Sequence, residues 1–570
     1  MRICGKIIQR LATSVLCLIT VLILTSCSLG GGPAPKAGKA PANQQIFTSP
    51  LIMLNGSTDL TTLDPALAYD QNSLTAISMI YTGLVQLDDK MQIQSGLAST
   101  WSQSSDGLTW TFTLRSGLKF SDGSPLTAQD VAYSFNRALL PATKSPTAPI
   151  YLGIIQDADK LLAGGIPSLI GDSLQVVNPT TLKITLKTKA PYFLSMLTKA
   201  CALVVEQKLV QQYGSSFTNN LTQGGGDGPF VVKNYDHTKI VYAPNPTYYG
   251  PKPQLRQVVF PFYQQEADAY NAYAKGQVDT AGVPLQALPD IAKRSDFHKV
   301  PQLWINYYTM NYKVAPFDNI HIRQAFALAI DKTAIASSVW KNTVIPTNHI
   351  IPQGMPGYNA SLTGPDGTTS LKGNPKQAQA LLRQGLQESK LTALPPIKLT
   401  YAAGSNFAEE VQSLVSMWQK VLGVTVTADS VDSNTLLDQV SAATGNSQGL
   451  QMWGLSWVGE YPDPQDWLTR QFGNGSVFNN MNYGQNTSSD VALQISLQNQ
   501  MAKADGNFQS VQRLQSYQQA EQQLVNDVAW LPIEQVASVF LRQPYVTGIV
   551  DNGTSIIPSN DWANIYILQH

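Results

Sequence analysis

The sequence predicts an α/β protein, because segments of helical and strand periodicity alternate along most of its 570 residues. Three observations carry this: strict two-residue alternation in places, apolar residues at helical spacing in others, and turn or cap residues between them. Asp106-Gly107 is a turn signal, after which Trp110, Phe112 and Leu114 alternate with Thr111, Thr113 and Arg115 as a half-buried strand. Ser121-Asp122-Gly123-Ser124-Pro125 turns the chain, and Thr127 then caps a helix carrying Val131, Phe135 and Leu139, with Asp130 at the third position. Ala200 to Val205 reads as a buried strand holding Cys201, and Gly224 to Gly228 as a backbone turn. Ile322, Phe326 and Ile330 mark one helix face, and Val411, Leu414, Val415, Trp418 and Leu422 another. Gly423 stops that second helix before the strand-like Val424-Thr425-Val426. Val511, Leu514 and Tyr517 predict a late helix, followed by a strand at Val528 to Leu531.

The first residues have a different character. A basic start (Arg2, Lys6, Arg10), an apolar run from Leu11 to Leu24 and the sequence Leu24-Thr25-Ser26-Cys27 make an export signal with lipoprotein processing. The run is shorter than the roughly 20 apolar residues a spanning helix needs. Residues 1–26 are thus expected to be removed and Cys27 to carry the lipid. Residues 27–45, rich in Gly, Pro and Ala, read as a flexible tether with a typical span of roughly 25 Å. Of the remaining cysteines only Cys201 belongs to the exported body, so a large core rather than disulfides must supply stability. Lys plus Arg and Asp plus Glu both number 38, a balance that excludes nucleic acid or an anionic surface as the main partner.

No motif for catalysis is present. The five histidines have no His or Cys at metal-ligand spacing, and there is neither a Gly-x-Ser-x-Gly elbow nor a phosphate-binding loop. No metal, cofactor or catalytic residue is therefore expected.

The stretch Leu97 to Asn136, LASTWSQSSDGLTWTFTLRSGLKFSDGSPLTAQDVAYSFN, resembles the bacterial extracellular solute-binding proteins of family 5, the oligopeptide and dipeptide binders of ABC importers. Further matches run in order: Thr62 to Ala66, Ile80 to Leu84, Gly228 to Phe230, Asn245 to Tyr249, Pro316 to Asn319 with Ile322 to Ala325, Trp457 to Leu468, and Trp530 to Pro532. The resemblance implies a two-lobed periplasmic-binding-protein-like fold of class II, closing by a hinge, with an extra small inserted domain. Lobe I is placed at 46–84, 176–304 and 526–570, the small domain at 85–175 and lobe II at 305–525.

In peptide-binding members the ligand adds itself as a strand between the lobes, so backbone bonds give affinity for many sequences. The resemblance assigns that edge to Ser456, Trp457, Val458 and Tyr461, and a carboxylate for the ligand's α-ammonium to Glu460, where the family usually has Asp. Asp463 is the other nearby carboxylate, and Tyr69, Asp70 and Gln71 match a segment facing the same ligand end. Trp453 and Trp467 are expected in the core, Trp457 and Tyr461 at the cleft. The implied function is a monomeric, lipid-anchored binding protein outside the cytoplasm that delivers short peptides to an ABC importer and performs no covalent chemistry. An oligosaccharide or another small solute such as a chelated metal is the alternative cargo, and a secreted hydrolase is the rival from another class.

Overall fold

Where apolar residues alternate or repeat at helical spacing, they build, among the described residues, three sheets of four or more strands, each with its own core. The computed structural model describes residues 38–53 and 56–570. The signal segment 1–26, Cys27 and the first part of the tether lie outside the described residues.

Lobe I holds the sheet Ile46–Thr48, Gln257–Tyr263, Lys239–Pro244 and Phe230–Tyr235, in that order. Phe47, Phe230 and Val258 pack under it with Trp562 from the end of the chain. The described part of the expected tether, 38–45, is not loose. The Gln45 side-chain amide donates to the carbonyls of Ala40 (2.8 Å) and Ile567 (2.9 Å), and its oxygen accepts the Ile567 N–H at 2.9 Å. A buried amide satisfied this fully fixes the segment to the C-terminal strand Tyr566–Ile567, so the folded body begins at least by residue 38.

The small domain is the antiparallel sheet Ala98–Gln103, Thr109–Leu114, Thr181–Thr185, Leu174–Asn178, covered by the helix Ala128–Leu139. Trp110, Phe112 and Leu114 point into its core, as their alternation predicts. Thr127 caps the helix while Asp130 accepts the Thr127 N–H at 2.9 Å, a reciprocal capping box. The boundary expected at 175 falls inside a strand, and the same core continues to Val204. Cys201 is buried in it, yet Ala200–Ala202 forms a 3-10 turn rather than a strand.

Gly224 to Gly228 brings the chain back against Ile80. A Cβ on Gly228 would lie 2.6 Å from the Ile80 carbonyl carbon and 2.7 Å from the Met79 oxygen, so only glycine permits this approach. Between the glycines, Asp227 accepts the Thr82 N–H at 2.9 Å and the Thr82 hydroxyl at 2.7 Å. Burial raises its carboxyl to about 7. The folded form then holds this proton more tightly than the unfolded chain, whose carboxyl titrates near 3.8. Asp227 accordingly contributes stability at low pH that is lost as pH rises from about 4 through about 7. In Asp227→Asn that loss disappears. Its thermal stability relative to the parent should rise between pH 5 and 7.5, by at most about 1.4 kcal/mol per pH unit. A difference that stays constant with pH would mean an Asp227 already ionised throughout.

Lobe II is built on the sheet Thr280–Gly282, Leu531–Arg542, Phe297–Met310, Met452–Val458, Ile397–Ala402 and Val426–Val431. The helix Ser405–Leu422 ends where expected, with Gly423 left-handed at φ 70°, and buries Trp418, whose indole N–H donates to Phe326 O at 2.9 Å. The following strand starts at Val426 rather than Val424, and the late strand at Leu531 rather than Val528. Within the late helix Ser510–Asp527 the buried face is Arg513, Tyr517, Ala520 and Leu524, while Val511 is exposed. The expected limit at 525 cuts this helix, and the sheet runs on to Arg542.

Two long strands join the lobes. Phe297–Pro301 pairs with Ala537–Leu541, and Ile305–Tyr308 pairs with residues 531–535 farther along, with the register broken between Pro301 and Ile305. On the lobe I side, Asp279 accepts the Thr48 N–H at 2.6 Å and the Tyr545 hydroxyl at 2.8 Å. Between the two paired halves of Phe297–Met310, residues 302–304 make no ladder pair with Leu531–Arg542, and Leu303 is held instead by its N–H donating to Gly553 O at 3.0 Å and its carbonyl accepting the Gly459 N–H at 2.7 Å.

Candidate ligand-binding site

The strand Met452–Val458 lies antiparallel to Phe297–Met310 along its whole length, from Met452↔Met310 to Val458↔Trp304. On its other side Ile397–Ala402 pairs only with Met452 and Trp453. From Leu455 onward no strand among the described residues covers that side. The Gly459 N–H donates to Leu303 O at 2.7 Å, which fixes the alternation: Trp457 faces its partner strand, while the N–H and C=O of Ser456 and Val458 face outward. Val458 and Trp304 are exposed apolar residues beside this edge.

The turn after the edge is set by Asp466. Its Oδ2 accepts the Glu460 N–H at 2.8 Å and the Trp457 indole N–H at 3.2 Å. Burial pushes its carboxyl up to about 7, against the pull of Arg470, whose Nε lies 3.6 Å from Oδ1. The Arg470 guanidinium sits 4.9 Å from the Phe478 ring and 5.7 Å from that of Trp457, and Phe478 meets Trp457 edge-on. The Glu460 side chain accepts a hydrogen bond from the Tyr151 hydroxyl, 309 residues away on the small domain. Lys199 places its ammonium 5.5 Å from the centre of the Tyr151 ring.

Two expected site residues serve other ends. Tyr461 is buried, donating to Gln465, stacked on Tyr192 at 6.2 Å and edge-on to Tyr151 at 6.5 Å, so its ring packs the small domain's core. Asp463 caps the turn Pro464–Trp467 through the Gln465 N–H at 2.9 Å and takes both Nη groups of Arg513, at 2.8 and 2.6 Å. With its lone pairs engaged in that way, it presents no free carboxylate. Trp453 and Trp467 are in the core as expected, and Trp457 is half-buried.

The early segment approaches the same strand end. Tyr69 is 65% exposed, Asp70 caps the helix Gln71–Ser78 through the Ser73 N–H at 3.0 Å, and Gln71 donates to Thr554 O at 3.3 Å. The adjoining Gly553 carbonyl accepts the Leu303 N–H at 3.0 Å, and Leu303 holds Gly459. Sequence reasoning missed Tyr151, Lys199, Arg470 and Asp466. Only Asp466 had a local signal, since it lies within the quoted stretch Trp457 to Leu468. Among the described residues no group of three or more His, Cys, Asp or Glu can hold a metal ion, and no helix is long and apolar enough to cross a membrane.

The family model for the middle region of bacterial extracellular solute-binding proteins, family 5, matches residues 92–479. The chain belongs to this family. Its members are solute-binding proteins rather than enzymes, and they work outside the cytoplasm. The oligopeptide-binding protein OppA of Bacillus subtilis is 27% identical over 96% of this chain and 98% of its own length. The periplasmic murein peptide-binding protein MppA of Escherichia coli is 29% identical over 98% and 99%. A solved structure of MppA in its unliganded open form superposes with a TM-score of 0.79 at 25% identity, covering 94% of this chain and 99% of that one. The two-lobed α/β fold expected from the sequence is the fold these relatives share.

Proposed function

We propose that this family 5 protein captures short peptides in a cleft between its lobes and delivers them to an ABC importer, as a monomer tethered through a lipid on Cys27 to the outer face of the cytoplasmic membrane. The observation that carries the reading is the uncovered edge at Ser456 and Val458, whose outward N–H and C=O groups can bind any peptide backbone as an added strand. Relatives named for oligopeptide and murein peptide binding support the cargo, and likeness to an unliganded open form supports a cleft ready to receive it. The remaining expected site residues take supporting parts: Trp457 shapes the edge, Glu460 closes its far end, and Tyr69, Asp70 and Gln71 flank it from lobe I.

Native mass spectrometry of the protein as purified tests the cargo. A ladder of peptide masses supports the reading, and a carbohydrate mass replaces it. Val458→Pro tests the mode of binding. The Val458 N–H faces outward, so proline removes a donor to the ligand without removing a ladder bond. Peptide affinity should fall by about 1–3 kcal/mol, the cost of an acceptor left unpaired, with little change in melting temperature. An unchanged affinity would rule out strand addition at this edge. Acyl-modified Cys27 in the membrane fraction, sought by peptide mass mapping, tests the anchor.

A further inference from the structure

A carboxylate standing alone at the end of a peptide-binding edge would be a natural partner for a ligand's ammonium. Glu460 does not stand alone. Its carboxylate already accepts the Tyr151 hydroxyl, and the Lys199 ammonium lies over the face of that same tyrosine ring at 5.5 Å. Lys199 is drawn into this corner by charge as well as shape. Burial lowers the basicity of its amine, and the Glu460 and Asp466 carboxylates oppose that fall.

The surrounding groups make the charge balance of the corner unfavourable for a further cation. Lys199 and Arg470 are the two cations, against the carboxylate of Glu460 and an Asp466 whose carboxyl is raised to about 7. Asp463 and Arg513 neutralise each other in a bidentate pair. The Cys201 thiol beside them, pushed up to about 12 by burial, carries no charge. Among Lys199, Arg470, Glu460 and Asp466 the balance is therefore neutral to positive, and an arriving ammonium would compete with a resident one. The next carboxylate, Asp505, is engaged by the Tyr517 and Thr469 hydroxyls.

We propose that the Glu460, Tyr151 and Lys199 cluster makes this protein select peptides with an acylated N-terminus, in which Lys199 supplies the positive charge that a free terminus would otherwise bring. An N-acyl group is a secondary amide. Its N–H donates to the Glu460 carboxylate and its carbonyl accepts from Lys199, so one neutral group satisfies both charges. A carboxylate end would meet Lys199 but leave Glu460 facing a like charge, and a free ammonium would do the reverse. Lys199 is thus a specificity-determining residue. The inference rests on the peptide reading above and refines it.

The test uses two random tetrapeptide libraries of the same composition, one with free and one with acetylated N-termini, incubated with the full chain. Retained peptides are counted by mass spectrometry. The wild type should retain acetylated peptides at least tenfold over free ones. Lys199→Met should shift that ratio at least tenfold toward free amines, while Lys199→Arg, which keeps the cation, should preserve the wild-type preference. Both variants are first checked for an unaltered cooperative melt, and Lys199→Gln, equally uncharged, replaces Lys199→Met if Met perturbs folding. A wild-type preference for free amines, or a ratio that the uncharged variant leaves unchanged, overturns the inference while leaving the peptide reading in place. Retention of neither library overturns both.

Discussion

Arg513→Met is expected to destabilise the protein by about 3–5 kcal/mol and to weaken ligand binding as well. Arg513 donates to both oxygens of Asp463 and, at 3.3 Å, to the Tyr517 hydroxyl. Both ionic side chains are about nine-tenths buried, so removing the guanidinium leaves a carboxylate with neither water nor counter-ion. The nearby Asp505 would suffer too. Its carboxyl is already raised to about 6 by burial, and Arg513 is one of the groups holding it down. The loss reaches the site because Asp463 ends the loop that begins at Gly459 and carries Glu460. Chemical denaturation and calorimetric titration with a bound peptide measure the two effects. The double variant Arg513→Met with Asp463→Leu should recover most of the stability, since an apolar pair replaces a buried ion pair at little cost. A single-variant loss below about 1 kcal/mol would show that Asp463 finds water instead.

Much of the framework was readable because it depends on local rules. The Thr127 and Asp130 capping box, the inward Trp110, Phe112 and Leu114, and the left-handed stop at Gly423 each need only neighbours in the chain. The late strand, which begins at Leu531 rather than Val528, has an equally local explanation. Val528 takes a left-handed conformation at φ 56° to end its helix, which a β-branched residue rarely does, so its apolar run looked like a strand. Tyr461 departs from the expected cleft position because an aromatic beside an edge strand looks the same in sequence whether it lines a cleft or stacks on Tyr192. The edge itself lies within one short stretch and could be found there. The groups that set its charge, Tyr151 and Lys199, come from a different domain, and no spacing rule joins residues that only the fold brings together.

Arg323→Met should cost a similar amount, about 3–5 kcal/mol, yet leave binding by the folded fraction unchanged. Arg323 belongs to the Ile322 to Ala325 stretch that marks the family, and its side chain is completely buried. Nε donates to Asp527 O at 3.0 Å, Nη1 to Phe317 O at 2.9 Å and Nη2 to Asp490 Oδ2 at 3.1 Å, with the Tyr312 ring 3.8 Å from the guanidinium. Three acceptors in different directions suit a planar fork of donors and not the single ammonium of lysine, so Arg323→Lys should also destabilise. Asp490 suffers most. Arg323 helps to hold its carboxyl below the usual range despite burial, and its Oδ1 has no hydrogen-bond partner among the described residues. None of the three acceptors lies on the edge strand or in the turn that follows it. A melting point lowered as in Arg513→Met, with peptide affinity intact below the transition, would therefore separate the two buried arginines, one supporting lobe II alone and the other supporting lobe II and the loop that carries Glu460. A lost affinity in Arg323→Met would instead mean that the edge depends on the packing of the whole lobe.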